Sequence, residues 1–268
     1  ILFVSLISQE PSMNYAVIKP RPELKDFVSH FWAGKWQNSG KADSIYFSTA
    51  NVQTELAFGF HYSGSSKRQE ILFSTILGHT ENFRQFPMDG DIDLFGVSLY
   101  AHAIPSLFNT STSDLINEVF SVEELLMNQG RIINEKMIVA ATTPRRIKVL
   151  SDFFRAQLAK KHFEDRVILC ATNKIRQAKG IINVSSLAAE SCLSQKQFER
   201  RFRGYTGFNP KLYSRIIRFE TALYDSNSYQ TLSELAHGSG YHDQAHFIHE
   251  FKKFSGFSPN KFLLRTGY

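Results

Sequence analysis

Lys196, Arg200 and Arg203 stand at i, i+4 and i+7, a spacing that gathers side chains on one face of an α-helix, and Gln195, Gln197 and Glu199 flank them. Arginine and lysine donate to guanine O6 and N7, and glutamine pairs with adenine, so this stripe has the chemistry to read base edges in a DNA major groove. Phe198 and Phe202 fall on the opposite face, which predicts an inner face for packing and an outer face for contact. A second stripe follows the same design. Phe247 and Phe251 face inward there, while Gln244, Ala245, His246, His249, Lys252 and Lys253 face outward or stand on the flanks. The second set holds fewer strong donors, and Ala245 can only touch a thymine methyl, so the first helix is expected to discriminate bases better. His246 and His249, with His242 and His237 nearby, also invite a metal reading. No thiolate accompanies them and Asp243 is needed as a helix cap, so DNA contact is the preferred reading.

The elements that must carry these stripes are written twice. An offset of 49 takes Phe198 to Phe247, Phe202 to Phe251, Gly207 to Gly256, Pro210 to Pro259 and Tyr213 to Phe262. Each copy reads as a short helix, a tight turn and a second helix. In the second copy Thr231 and Glu234 form a capping box, which predicts a helix over 231–239, and Gly240 supplies the turn. In the first copy Asn183 is the cap, Ile182 and Leu187 form a hydrophobic staple, and Cys192 holds the place of Gly240 at a cost of about 1 kcal/mol if the turn is left-handed. The following helices start at Ser194, boxed with Gln197, and at Asp243, and end near Gly207 and Gly256. Asn209-Pro210 and Ser258-Pro259 then open further helices. Residues 209–226 read as one helix of roughly 27 Å, a rod able to hold two recognition helices near the ~34 Å separation of successive major-groove segments.

With these motifs the chain resembles the AraC/XylS family. The run LAAESCLSQKQFERRFRGYTGFNPKLYSRIIRFETAL is similar to that family's first helix-turn-helix and linker helix, and LSELAHGSGYHDQAHFIHEFKKFSGFSPNKF to its second signature. The chain departs from the usual pattern at Cys192, at His249 where arginine is common, and at Phe262-Leu263 where Tyr-Arg is usual. The resemblance implies an all-α DNA-binding domain of about seven helices, sequence-specific binding near promoters, activation of transcription, and double-stranded DNA and RNA polymerase as partners.

Charge divides the chain in the same way. Residues 161–268 carry 16 Lys plus Arg against 9 Asp plus Glu, whereas residues 1–160 carry 15 against 16. The basic excess therefore coincides with the repeat. The two cysteines, Cys170 and Cys192, are too few for a disulfide framework and fit a reducing cytoplasm, with Cys170 expected in apolar packing. No apolar run is long enough for a membrane span. Residues 1–12 lack a basic n-region and a small-residue cleavage site, and are expected to be an extension ahead of a natural start at Met13.

Residues 13–160 form a different text. Leu56, Phe58, Phe60 and Tyr62 alternate with Glu55, Ala57, Gly59 and His61, and Phe95, Val97 and Leu99 alternate with Gly96, Ser98 and Tyr100, which predicts half-buried antiparallel strands. Pro105–Phe108, Leu115–Met127 and Pro144–Lys160 are helix candidates, the last with Ile147, Leu150, Phe153, Phe154 and Leu158 on one side. PRPELKDFVSHFW, ILGHTENF and DLFGVSLYAHAIPSLF resemble an amino-terminal, cupin-like domain carried by a subset of AraC-type regulators. The expected fold class is thus α+β, a β-rich sensor with flanking helices over 13–160 and an all-α domain with two helix-turn-helix motifs over 161–268. Trp32, Trp36, Phe58, Phe60, Phe83, Phe86 and Phe95 read mainly as core, although they could line an effector pocket. His61, His79 and His102 could converge, but the H-x-H plus Glu spacing of metal cupins is absent, so no metal or cofactor is expected. Two function classes stay open: a ligand-responsive transcription regulator, dimerising through its amino-terminal domain, and an enzyme or repair protein that uses the same DNA-binding module. A nucleophile elbow, phosphate loop or metal signature would favour the second; none is found, and the reading is not an enzyme.

Overall fold

The structure, a computed structural model, describes residues 14–37, 45–63, 68–160 and 165–266. The expected extension over residues 1–12 lies outside them. Among the described residues eight strands come first: β1 (Asn14–Ile18), β2 (Val28–Trp36), β3 (Ile45–Ser48), β4 (Gln53–Ser63), β5 (Arg68–Leu77), β6 (Arg84–Pro87), β7 (Ile92–Tyr100) and β8 (Val119–Ser121). Six form an antiparallel sheet in the order β1-β2-β7-β4-β5-β8, and β3 pairs with β6 in a separate ribbon.

The alternation in β4 and β7 is real, but the half-buried expectation is corrected. Leu56, Phe58, Phe60, Phe95, Val97 and Leu99 are fully buried in one core. On the opposite face Ala57 packs with Trp32, Trp36, Ile92 and Leu94, and Tyr46 of the ribbon closes over them. Glu55, at the domain junction, is buried as well, and burial pushes its carboxyl well above the usual range. A two-residue period reveals which residues share a face; it does not reveal that a second layer will cover the other one.

Four helices flank the sheet: α1 (Ile104–Phe108), α2 (Val122–Leu126), α3 (Asn128–Val139) and α4 (Thr143–Leu158). The single helix expected over Leu115–Met127 is replaced by a 3-10 turn (Thr112–Leu115), β8 and α2. Tertiary pairing decides this, because Val119–Ser121 add to the edge of β5 and only then does the Ser121–Glu124 capping box start a helix. No apolar period marks α3, whose Ile132, Ile138 and Val139 stay exposed while Ile133 and Met137 are buried. Along α4, Leu150 and Phe154 are fully buried, with Ile147, Phe153 and Leu158 packed at the margin.

Seven helices follow among the described residues: α5 (Arg166–Gln177), α6 (Val184–Glu190), α7 (Gln195–Thr206), α8 (Pro210–Tyr224), α9 (Leu232–Gly238), α10 (Gln244–Ser255) and α11 (Pro259–Thr266). Cys170 lies exposed on α5, contrary to the packing role expected for it. The linker α8 has 15 residues, so it spans about 22 Å, and Asp225 passes the chain into a 3-10 turn (Ser226–Ser228). The repeat holds throughout, with one refinement. From Asn183 to Thr231 and from Leu187 to Leu235 the offset is 48, so the second turn is one residue longer than the first.

Both turns close alike: the Leu193 N–H donates to the Ala188 carbonyl at 3.1 Å and the Tyr241 N–H to the Ala236 carbonyl at 3.0 Å. Each needs a left-handed residue just before that donor. Gly240 adopts φ 74° without strain, but Cys192 adopts φ 52° with a side chain. Cys192→Gly is therefore expected to stabilise the protein by about 0.5 kcal/mol, the relief of left-handed strain less the entropy that glycine adds to the unfolded chain. A denaturation midpoint that does not rise would show the turn to be unstrained.

Candidate DNA-binding interface

The first recognition helix is α7. The Gln197 N–H donates to Ser194 Oγ at 3.3 Å, and Gln197 Oε1 accepts the Ser194 N–H at 3.1 Å. This reciprocal cap starts the helix and also occupies the Gln197 oxygen, leaving its amide nitrogen as the outward donor. Gln195 donates to Glu199 at 3.1 Å. Lys196, Arg200 and Arg203 are exposed, while Phe198 and Phe202 are fully buried on the other side. Arg201, between two of the outward cations, turns away to make a bidentate pair with Asp165 at 3.0 and 2.8 Å. Asp165 also caps α5, so this arginine is used for holding helices together.

The second recognition helix is α10. Asp243 accepts the His246 N–H at 2.7 Å, and that bond, with His242 beside it, holds its carboxyl below the usual range. Gln244, Ala245, His246, His249, Lys252 and Lys253 are all exposed. Two of them also have partners within the protein. Lys253 Nζ lies 3.8 Å from Glu81 of the amino-terminal domain. His246 Nε2 lies 3.5 Å from Glu250 Oε2, and its ring meets Tyr241 edge-on.

Glu250 is a residue the sequence reading passed over. It is 1% exposed, and it accepts from Arg215 Nε at 3.1 Å and Arg218 Nη2 at 3.4 Å, both on α8. Arg218 also donates to the Gly240 carbonyl at 3.3 Å and lies over the Tyr241 ring. One carboxylate thus joins the linker helix, the second turn and the second recognition helix. The signal available was an acid directly preceding an inward phenylalanine, Phe251, on a helix whose outer face is otherwise cationic.

The histidines of the sheet domain do not assemble. His61 faces Glu70 at 3.7 Å, His79 approaches Thr54, and His102 Nε2 lies 2.6 Å from the Asp26 carbonyl. Burial drives both His79 and His102 down to about 4. Among the described residues no group of three or more His, Cys, Asp or Glu is placed to hold a metal ion.

Residues 187–265 match the family model described as a helix-turn-helix domain, and residues 16–121 match one described as a domain of unknown function, DUF6597. No curated protein matches the chain. Among solved structures the chain is similar to ToxT of Vibrio cholerae. An apo variant of ToxT from strain SCE256 has 11% identity and a TM-score of 0.48 over 88% of this chain and 97% of that one. ToxT from O395 has 11% identity and a TM-score of 0.47 over 88% and 98%. ToxT with an unsaturated fatty acid bound has 10% identity and a TM-score of 0.44 over 98% and 99%.

Removing Glu250 would leave two partly buried arginines without their shared acceptor. Glu250→Ala should destabilise the protein by about 3 kcal/mol, whereas Lys252→Ala on the same helix should stay within about 0.5 kcal/mol of wild type. Urea midpoints compare the two, and equal midpoints would deny the cluster any structural weight.

Proposed function

We infer that this DNA-binding transcription regulator, whose carboxy-terminal domain is an AraC-type helix-turn-helix domain, places α7 and α10 in successive major-groove segments of one duplex. The observation that carries this reading is the repeated pairing of a buried phenylalanine face with an exposed polar face on two capped helices. Lys196, Arg200 and Arg203, with the Gln197 amide and Gln195, are the base and phosphate donors of the first half-site. Gln244, Ala245, His249 and Lys252 serve the second, and His246 and Lys253 contribute only as far as their ties to Glu250 and Glu81 allow. Glu199 shapes the first set by holding Gln195.

Residues 13–160 act as the sensor and residues 161–268 as the DNA-binding domain, in a cytoplasmic protein that works by binding and not by catalysis. The effector is a small molecule. Most of the aromatic candidates for its pocket fill the core, and an open cleft of about 470 Å³ at the strand ends, bordered by Trp36, Phe60, His61 and Ile92, is a candidate site among the described residues. RNA polymerase is the expected protein partner. A second copy is expected to bind through the amino-terminal domain, where the groove between α3 and α4 exposes Ile132 and Val139. No described helix is long and apolar enough to cross a membrane.

Arg200→Ala should weaken binding to a site selected from random DNA by about 1 to 3 kcal/mol and relax preference at one base pair. Titrations against single-base variants of that site read this directly, and an unchanged preference profile would remove Arg200 from the reading set. Salt supplies a separate measure. If about six phosphates are neutralised, log K of the full chain should fall with log salt at a slope near −5, and a flat response would contradict the assignment.

A further inference from the structure

Both recognition helices meet the amino-terminal domain at the same place, one repeat apart. At the end of α7, Thr112 Oγ1 donates to the Tyr205 carbonyl at 3.3 Å. At the end of α10, the Ala50 N–H donates to the Phe254 carbonyl at 2.9 Å, and Phe254 is the residue 49 positions after Tyr205. The C-cap glycines are contacted alike. A Cβ on Gly207 would stand 2.2 Å from His79 Nε2, and one on Gly256 would stand 2.7 Å from the Phe83 ring. The next residues repeat the pattern, with Phe208 meeting His79 edge-on at 4.8 Å and Phe257 meeting Phe47 at 5.2 Å. One such contact is ordinary domain packing. Two, made by equivalent atoms of both copies, describe a seat with two sockets.

The sockets are built as one piece. Asn51 and Thr80 exchange backbone hydrogen bonds at 2.9 and 3.1 Å, the Asn117 N–H donates to the His79 carbonyl at 3.0 Å, and Thr80 Oγ1 donates to Asn117 Oδ1 at 2.7 Å. The segments carrying Ala50, His79 to Phe83, and Thr112 are therefore tied to one another and to the ends of the sheet. Seating leaves the outer faces open: Lys196, Arg200, Arg203, Ala245, His249 and Lys252 are exposed while the helix ends are held. The linker α8 also packs against both helices, through Tyr213 on Phe202 and Phe219 on Phe251, and the seat adds a second hold at their carboxy-terminal ends.

We propose that this seat is a brace that sets the separation and angle of the two recognition helices, so that His79 and Phe83 determine which spacing between DNA half-sites the protein accepts. The brace rests on the reading of α7 and α10 as paired DNA readers. Two tethered readers gain from each other only when both reach their half-sites together, and a rigid mount turns a change of spacing into lost affinity, whereas a loose one tolerates it. His79 enters its socket as an uncharged ring, in keeping with the low proton affinity that burial gives it.

The test uses the full chain and duplexes selected by it from a random library, resynthesised with one or two base pairs inserted or removed between the half-sites. Wild type should lose about 10-fold or more in affinity on the altered spacings, and His79→Ala and Phe83→Ala should flatten that penalty while keeping the base preference within each half-site. Phe83 is 38% exposed, so its variant carries the test if the His79 variant does not fold. Folded variants with the wild-type spacing profile would overturn the brace and leave the DNA reading standing. A wild-type chain with no base preference at all would overturn the DNA reading, and the brace with it.

Discussion

The packing of α8 against phenylalanines from both copies of the repeat is the interaction on which the rest depends. At one end Tyr213 meets Phe202 edge-on at 5.3 Å; at the other Phe219 meets Phe251 at 5.2 Å and Phe254 at 5.4 Å. Each of these rings is buried, worth about 1.5 to 3 kcal/mol of transfer free energy, and edge-to-face geometry adds up to about 1.5 kcal/mol per pair. Caps and turns aim the recognition helices, and this shared core carries both on one rod. The outward cations follow from it, since a helix that must bury Phe198 and Phe202 can present Lys196 and Arg200 only on its far side.

Features encoded within a few residues were legible in the sequence. The caps at Asn183, Ser194, Asn209, Thr231 and Asp243 all form as their residue types suggest, and Gly207 and Gly256 end their helices with φ 81° and 78°. Long-range features were not. Glu250 pairs with arginines more than 30 residues away, and nothing local marks an acid as buried until the opposing helix is in place. For the same reason Val119–Ser121 read as part of a helix, because a three-residue edge strand is defined by its partner. Arg200 and Arg201 are adjacent in sequence and chemically identical; helical phase, 100° apart, gives one to solvent and the other to Asp165.

The boundary drawn from charge at residue 160 and the boundary drawn from packing do not coincide. Phe47, Ala50 and Val52 precede β4, yet they join the core of the helical domain, and the Val52 N–H donates to Glu220 of α8 at 3.3 Å. Tyr100 and His102 of the sheet domain lie between Arg176, 4.0 Å over the Tyr100 ring, and Tyr205, stacked on His102. Composition reports what a surface touches in solution, whereas core membership is set by which apolar groups share a cavity. A disturbance of the sheet thus has a direct mechanical route to both recognition helices, without any intervening linker.

The Ala50–Phe254 hydrogen bond closes a loop of about two hundred residues (254 − 50 = 204), and this has a bearing on how the molecule is made. During synthesis the amino-terminal sheet is complete long before α10 leaves the ribosome, so Phe47, Ala50 and Val52 wait uncovered while more than half of the chain is still to come. The last helices arrive at a surface already shaped for them. Their assembly is then a docking step with a large closure entropy and a ready template, late in folding and absent from any nascent chain that stops short of Phe254.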